Sequence, residues 1–121
     1  MVNFTDQYSR MKIDKEELSI LEDLYERSKE VPDRTLFISV IFQALLDATK
    51  PKADEEAKEI TTQRREATSW FFTSVGVTCE NFEFICEQAG LSIKDVRKFA
   101  HHVINSNEKS LVRNRIIKLL G

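Results

Sequence analysis

Phe82-Glu83-Phe84-Ile85-Cys86-Glu87-Gln88-Ala89-Gly90-Leu91-Ser92-Ile93-Lys94-Asp95-Val96-Arg97-Lys98-Phe99 is the stretch that decides the fold. Its apolar residues recur at three- and four-residue steps, the period of a helix rather than of a strand. Phe82, Ile85, Cys86 and Ala89 share one face before the glycine; Ile93, Val96 and Phe99 recur after it. Gly90 suits the left-handed residue that ends a helix. Ser92 and Asp95 have the spacing of a capping box that starts the next one. Two helices joined by a tight turn follow, and with them an all-α fold.

The rest of the chain extends this pattern into a single-domain bundle of about six helices over residues 1–121. Residues 1–13 have no clear period and read as an arm. Asp14 is an N-cap candidate, with Glu17 completing a capping box, before a helix that aligns Leu18, Leu21, Leu24 and Tyr25. That helix should stop near Val31-Pro32, because a residue preceding proline disfavours helix. Asp33 is the next N-cap candidate. Residues 36–46, Leu36 to Leu46, are apolar nearly all round and fit a central buried helix. Their β-branched residues make a strand the competing reading, but Ala44-Leu45-Leu46-Asp47-Ala48 continues a helix well. Thr49 to Glu56 contains Pro51 and five charges, and reads as a solvated, mobile loop. A third helix is expected from near Asp54 to Val75, through Ala57, Ile60, Ala67, Trp70, Phe71 and Ser74. Arg64 interrupts its stripe, and Gly76 is expected to end it. Thr78 is the expected cap of the helix holding Phe82. After Gly90 a helix carries Ile93, Val96, Phe99, Ala100, Val103 and Ile104. Asn105-Ser106-Asn107 breaks it before a last helix with Leu111, Val112, Ile116, Leu119 and Leu120.

Composition agrees. The 121 residues are 41% apolar and 31% charged, with only three glycines and two prolines, too few breakers for an all-β chain. A chain this long buries a core without disulfides or metals. No apolar stretch reaches the ~18 residues that span a bilayer, and Met1-Val2-Asn3-Phe4 does not begin a signal peptide. Two cysteines are too few for a secreted disulfide scaffold, so cytoplasmic residence is expected. The net charge of −2 is unevenly spread. Residues 1–59 hold 9 bases against 14 acids, and residues 60–121 hold 9 against 6. From Leu91 onward there are seven bases, two acids and both histidines, an asymmetry that points to an anionic partner or to a solvated polar face.

The 82–99 stretch resembles a helix-turn-helix, whose physical demands it meets in order. A small residue is needed where the helices cross, and Cys86 stands there, although alanine is usual. Four residues later the turn needs a positive φ, and Gly90 supplies it. Leu91 plugs the gap after the turn, and Val96 and Phe99 face inward. The outer face of the second helix should then show Ser92, Lys94, Arg97, Lys98 and His101 to the major groove of double-stranded DNA. Arg64, Arg65, Arg113, Arg115 and Lys118 are candidate phosphate contacts. Helix, glycine, capped helix is also a common corner in proteins that never touch DNA.

A wider run, from Ala67 to Val103, resembles small uncharacterised helical proteins encoded in phage and prophage regions of bacteria. It includes Trp70-Phe71-Phe72, Gly76-Val77-Thr78, Phe82-Glu83-Phe84-Ile85-Cys86, Ala89-Gly90-Leu91 and Val96-Arg97. The resemblance covers about a third of the chain and rests on apolar spacing. It implies a phage-derived setting and no defined activity; a DNA-binding regulator is a natural occupant of that setting.

Other chemistry is not legible. Cys79 and Cys86, with His101 and His102, lack the paired spacing of a zinc site, and buried reduced thiols are the better reading. There is no phosphate-cradling glycine loop, His-Glu-x-x-His or nucleophile elbow, so no enzyme, cofactor or small-molecule substrate is expected. Glu80, Glu83 and Glu87 form an acidic helix edge. Trp70, Phe71 and Phe72 cannot all face one core, and Phe82 and Phe84 should point to different sides. Outward aromatics mark interfaces. The alternative to a DNA-binding regulator is therefore a helical adaptor or inhibitor that binds a protein or a second copy of itself. Its surface would be Phe72, Phe84 and the His101-His102 edge. The DNA reading requires the late bases to gather with Arg64 and Arg65; the adaptor reading requires an exposed aromatic patch.

Overall fold

The computed structural model describes Ile13 and residues 15–121. Among these are six helices and no strand: α1 Lys15–Ser28, α2 Pro32–Ala48, α3 Lys58–Phe72, α4 Gly76–Ala89, α5 Ile93–Ile104 and α6 Lys109–Leu120. The all-α, six-helix expectation holds. Asp14, the expected first cap, and most of the expected arm lie outside the described residues.

α2 is the hub, packing against α1, α3, α4 and α6. Its buried residues Ile38, Ile41, Phe42, Leu45 and Leu46 meet Leu18 and Tyr25 of α1, Phe71 of α3, Phe82 of α4 and Val112 and Ile116 of α6 in one core. Tyr25 and Phe42 are 5.6 Å apart between ring centres. Trp70, Phe71 and Phe82 form a triangle of edge-on rings with centroids 4.9–5.8 Å apart, a geometry that aligns ring edge with ring face. The expectation of a central α2 is met, with one difference: Leu36 and Val40 remain 61% and 39% exposed.

The α1–α2 corner is built from hydroxyls. Ser28 Oγ donates to Tyr25 O at 2.6 Å, and Thr35 Oγ1 donates to Ser28 O at 2.6 Å. Pro32 occupies the first turn of α2, with Val31 at the N-cap. Asp33 is therefore not the cap. Proline's fixed φ and missing N–H suit the first helical position, which sets the start two residues earlier.

The α2–α3 connection is stitched rather than loose. Arg64 Nε donates to Lys50 O at 3.0 Å, and Arg64 Nη2 contacts Glu56 Oε1 at 2.8 Å and Oε2 at 3.0 Å. Ala53 N and Thr61 Oγ1 also donate to the Glu56 carboxylate. These bonds hold the Glu56 carboxyl well down, at about 2. They also delay α3, which starts at Lys58 after an extended Ala57 rather than near Asp54.

α3 ends at Phe72, not Val75, and Gly76 does not terminate it. Thr73 is already extended, and Gly76, with φ +88°, opens α4. Thr78 consequently lies inside the first turn, and Val75 holds the N-cap position without a side-chain bond.

Candidate functional site

The helix, glycine and capped helix expected over 82–99 are all present. Gly90 has φ +75°, its N–H donates to Glu87 O, and Leu91 N donates to Cys86 O, both at 3.0 Å. This pair of bonds closes α4 as a Schellman cap. Ser92 Oγ accepts from Asp95 N at 3.3 Å and starts α5. Cys86 is fully buried where the helices cross, with Val96 and Phe99 buried opposite. Burial pushes the Cys86 thiol up to about 12. Both cysteines are buried and unpaired as disulfides.

The outer face of α5 differs from expectation. Ser92, Lys94, Lys98 and His101 are exposed, but Arg97 is half-buried. Arg97 Nε donates to Phe71 O at 3.0 Å and Nη2 to Thr73 O at 3.4 Å, while its guanidinium stacks 4.9 Å from the Phe82 ring centre. It closes the C-terminal end of α3, where carbonyls carry partial negative charge. Lys98 Nζ lies 3.9 Å and His102 Nδ1 3.4 Å from the Glu17 carboxylate of α1. α1 and the turn between α4 and α5 enclose a groove of about 400 Å³, lined by residues that include Ile20, Leu24, Leu91 and Phe99. On the other side, Phe72 meets His101 edge-on at 6.2 Å.

Three of the five expected phosphate contacts are engaged within the fold. Arg64 is held in the α2–α3 connection. Arg113 donates to Leu46 O and, at 3.0 Å, to Thr49 Oγ1, closing the end of α2. Arg115 pairs with Glu22 at 2.7 Å. Arg65, Lys94 and Lys118 are exposed, with no acid partner among the described residues.

The outward aromatics are where the sequence expects them. Phe84 is 50% exposed and Phe72 39%, whereas Phe82 and Phe71 are fully buried. His101 is exposed and His102 half-buried. Phe84 meets Phe37 edge-on at 6.0 Å, which joins it to exposed Leu36 and Val40 on α2. Residues 36, 37 and 40 lie within about 100° of one another around a helix, so Leu36 and Val40 share a side of that helix with the Phe37 ring that Phe84 meets. Leu36 and Val40 were missed because the apolar content of α2 reads as core on every side. The signal was that excess, one stripe more than a neighbour covers.

No family model matches the chain, and no curated protein or solved structure matches it. Among the described residues, no helix is long and apolar enough to cross a membrane, and no cluster of three or more His, Cys, Asp or Glu is placed to hold a metal.

Proposed function

We propose that the protein is a non-enzymatic helical interaction module that docks a protein partner through the face formed by Leu36, Val40 and Phe84. The observation that carries this reading is the exposed aromatic, Phe84, set against Phe37 of the central helix, whose near neighbours Leu36 and Val40 are also exposed. Large side chains in a contiguous exposed patch are a common mark of an interface. The test is a photo-crosslinking amino acid at position 84, with a second at exposed Glu59 as control, in cells that make the protein. Capture specific to position 84, of either a second copy or another protein, supports the reading. Equal capture at both positions, or none, overturns it.

A second reading is a DNA-binding regulator of the phage type, consistent with the resemblance of residues 67–103. Its support is the realised turn at Gly90 together with the exposed stripe of Lys94, Lys98 and His101. The variant that tests it is Lys94→Ala/Lys98→Ala, measured by fluorescence anisotropy on duplex DNA at two salt concentrations. Salt-sensitive binding that is weakened in the variant supports this reading, because phosphate contacts release counterions. Absence of binding at low salt overturns it.

A further inference from the structure

Resting on the docking reading of the Phe84 face, we infer that its partner is a basic amphipathic helix. The charge around the face selects the partner. α4 carries Glu80, Glu83 and Glu87 and no base, and α2 carries Asp33 and Asp47 against Arg34. The two helices that build the apolar face thus hold five acids and one base. That one base, Arg34, stands two residues before Leu36 at the Glu87 end of the face, where its guanidinium carbon is 3.1 Å from the position a Cβ on Gly90 would take. Asp47 is occupied by Lys50 at 3.6 Å, and Glu83 accepts from Cys79 Sγ at 3.3 Å. Glu80 and Glu87 are exposed and have no basic partner among the described residues.

Those two carboxylates stand at −4 and +3 from Phe84, about 40° and about 60° to the same side of it around the helix axis, so both line one margin of the ring. Val77, 81% exposed, continues the same stripe two turns earlier, about 10 Å away along the axis. An occupant needs apolar residues at helical spacing to cover Phe84, Leu36 and Val40, and Lys or Arg along the one margin that meets Glu80 and Glu87. An acidic or neutral segment would leave those carboxylates facing like charge or none. The exposed lysines Lys94, Lys98 and Lys118 lie instead on α5 and α6.

The probe is a synthetic 14-residue helix of leucine and lysine with one apolar face, compared with a leucine–glutamate peptide of the same pattern. Binding is followed by anisotropy and by amide chemical shifts on the whole chain. The leucine–lysine peptide should bind and shift amides in 36–40 and 77–88. Phe84→Ser should weaken it at least tenfold and Glu80→Gln/Glu87→Gln at least threefold. All three positions are exposed, and circular dichroism verifies that the variants fold. Equal binding of the leucine–glutamate peptide, or no loss in either variant, overturns the inference. So does a shift map centred on the Glu17 and Glu22 side. If the leucine–lysine peptide fails while a crosslinker at position 84 still traps a second copy or an acidic segment, the partner chemistry falls and the docking reading stands. If both fail, both fall.

Discussion

The guanidinium of Arg97 lies 4.9 Å from the ring centre of Phe82, although the two residues are separated along the chain by two turns of α4, a tight turn and a turn of α5. That stacking fixes the Arg97 head where it also meets the carbonyls of Phe71 and Thr73. Arg97→Ala should therefore destabilise the fold by about 2 kcal/mol, because charged hydrogen bonds to half-buried carbonyls are lost and their acceptors left unpaired. Arg97→Lys should recover only part, since an ammonium cannot bridge two carbonyls while lying flat on a ring. Urea denaturation of the three chains checks this. A midpoint unchanged in Arg97→Ala would show that the end of α3 needs no cap.

Gly90→Ala should cost about 1–2 kcal/mol, the penalty of left-handed backbone for a residue with a Cβ. The new methyl would also meet Arg34 Cζ at 3.1 Å and displace its head. Thermal melting of the variant measures the loss; a melting temperature equal to wild type refutes the assigned strain.

The Glu56 carboxyl is held at about 2, against an ordinary 4.5, chiefly by Arg64 and then by Thr61 and Ala53 N–H. A folded-state value below the unfolded one means that ionised Glu56 stabilises the fold. The contribution is full above about 4.5, declines below it, and is gone once pH has fallen through about 2. Wild type should thus melt higher than Glu56→Gln at pH 7, with the gap closing over that interval. A gap independent of pH would exclude the ionised carboxylate as its source.

Both thiols should resist alkylation in the native chain. The Cys86 thiol, pushed up to about 12 by burial, forms almost no thiolate at pH 8. Cys79 is buried beneath Arg97. Disulfide-exchange reagent at pH 8 should label neither cysteine until denaturant is added. Rapid native labelling of Cys86 would contradict the packing at the helix crossing. In the same site Cys86→Ala should be mild and Cys86→Leu should cost about 1–3 kcal/mol by overpacking.

Local features were legible in the sequence and remote ones were not. Gly90 and Ser92 act through bonds to residues within five positions, so a short window contains the whole cause. Gly76 is also left-handed, but it precedes a helix instead of ending one. The same residue type serves both ends, and the deciding bonds come from Arg97, more than twenty residues away in sequence. The arginines Arg64, Arg97 and Arg113 illustrate the general difficulty. A helix-end carbonyl and a phosphate oxygen make similar demands on a guanidinium. Composition counts the donors and says nothing of which acceptor they meet. The apolar face at Leu36 and Val40 escaped for a related reason: burial depends on how many neighbours α2 has, and that number belongs to the assembled bundle.

The bond from Arg113 to Leu46 joins the final helix to the end of the central one across 67 residues, and Ile13 N reaches Glu108 Oε1 across 95. A growing polypeptide that has emitted α1 to α5 still lacks the side chains that cover the Leu45 end of its own hub. Its assembly is consequently deferred until α6 has emerged. Until then, the oiliest helix of the chain waits with one flank bare, in the company of whatever else is in the cell.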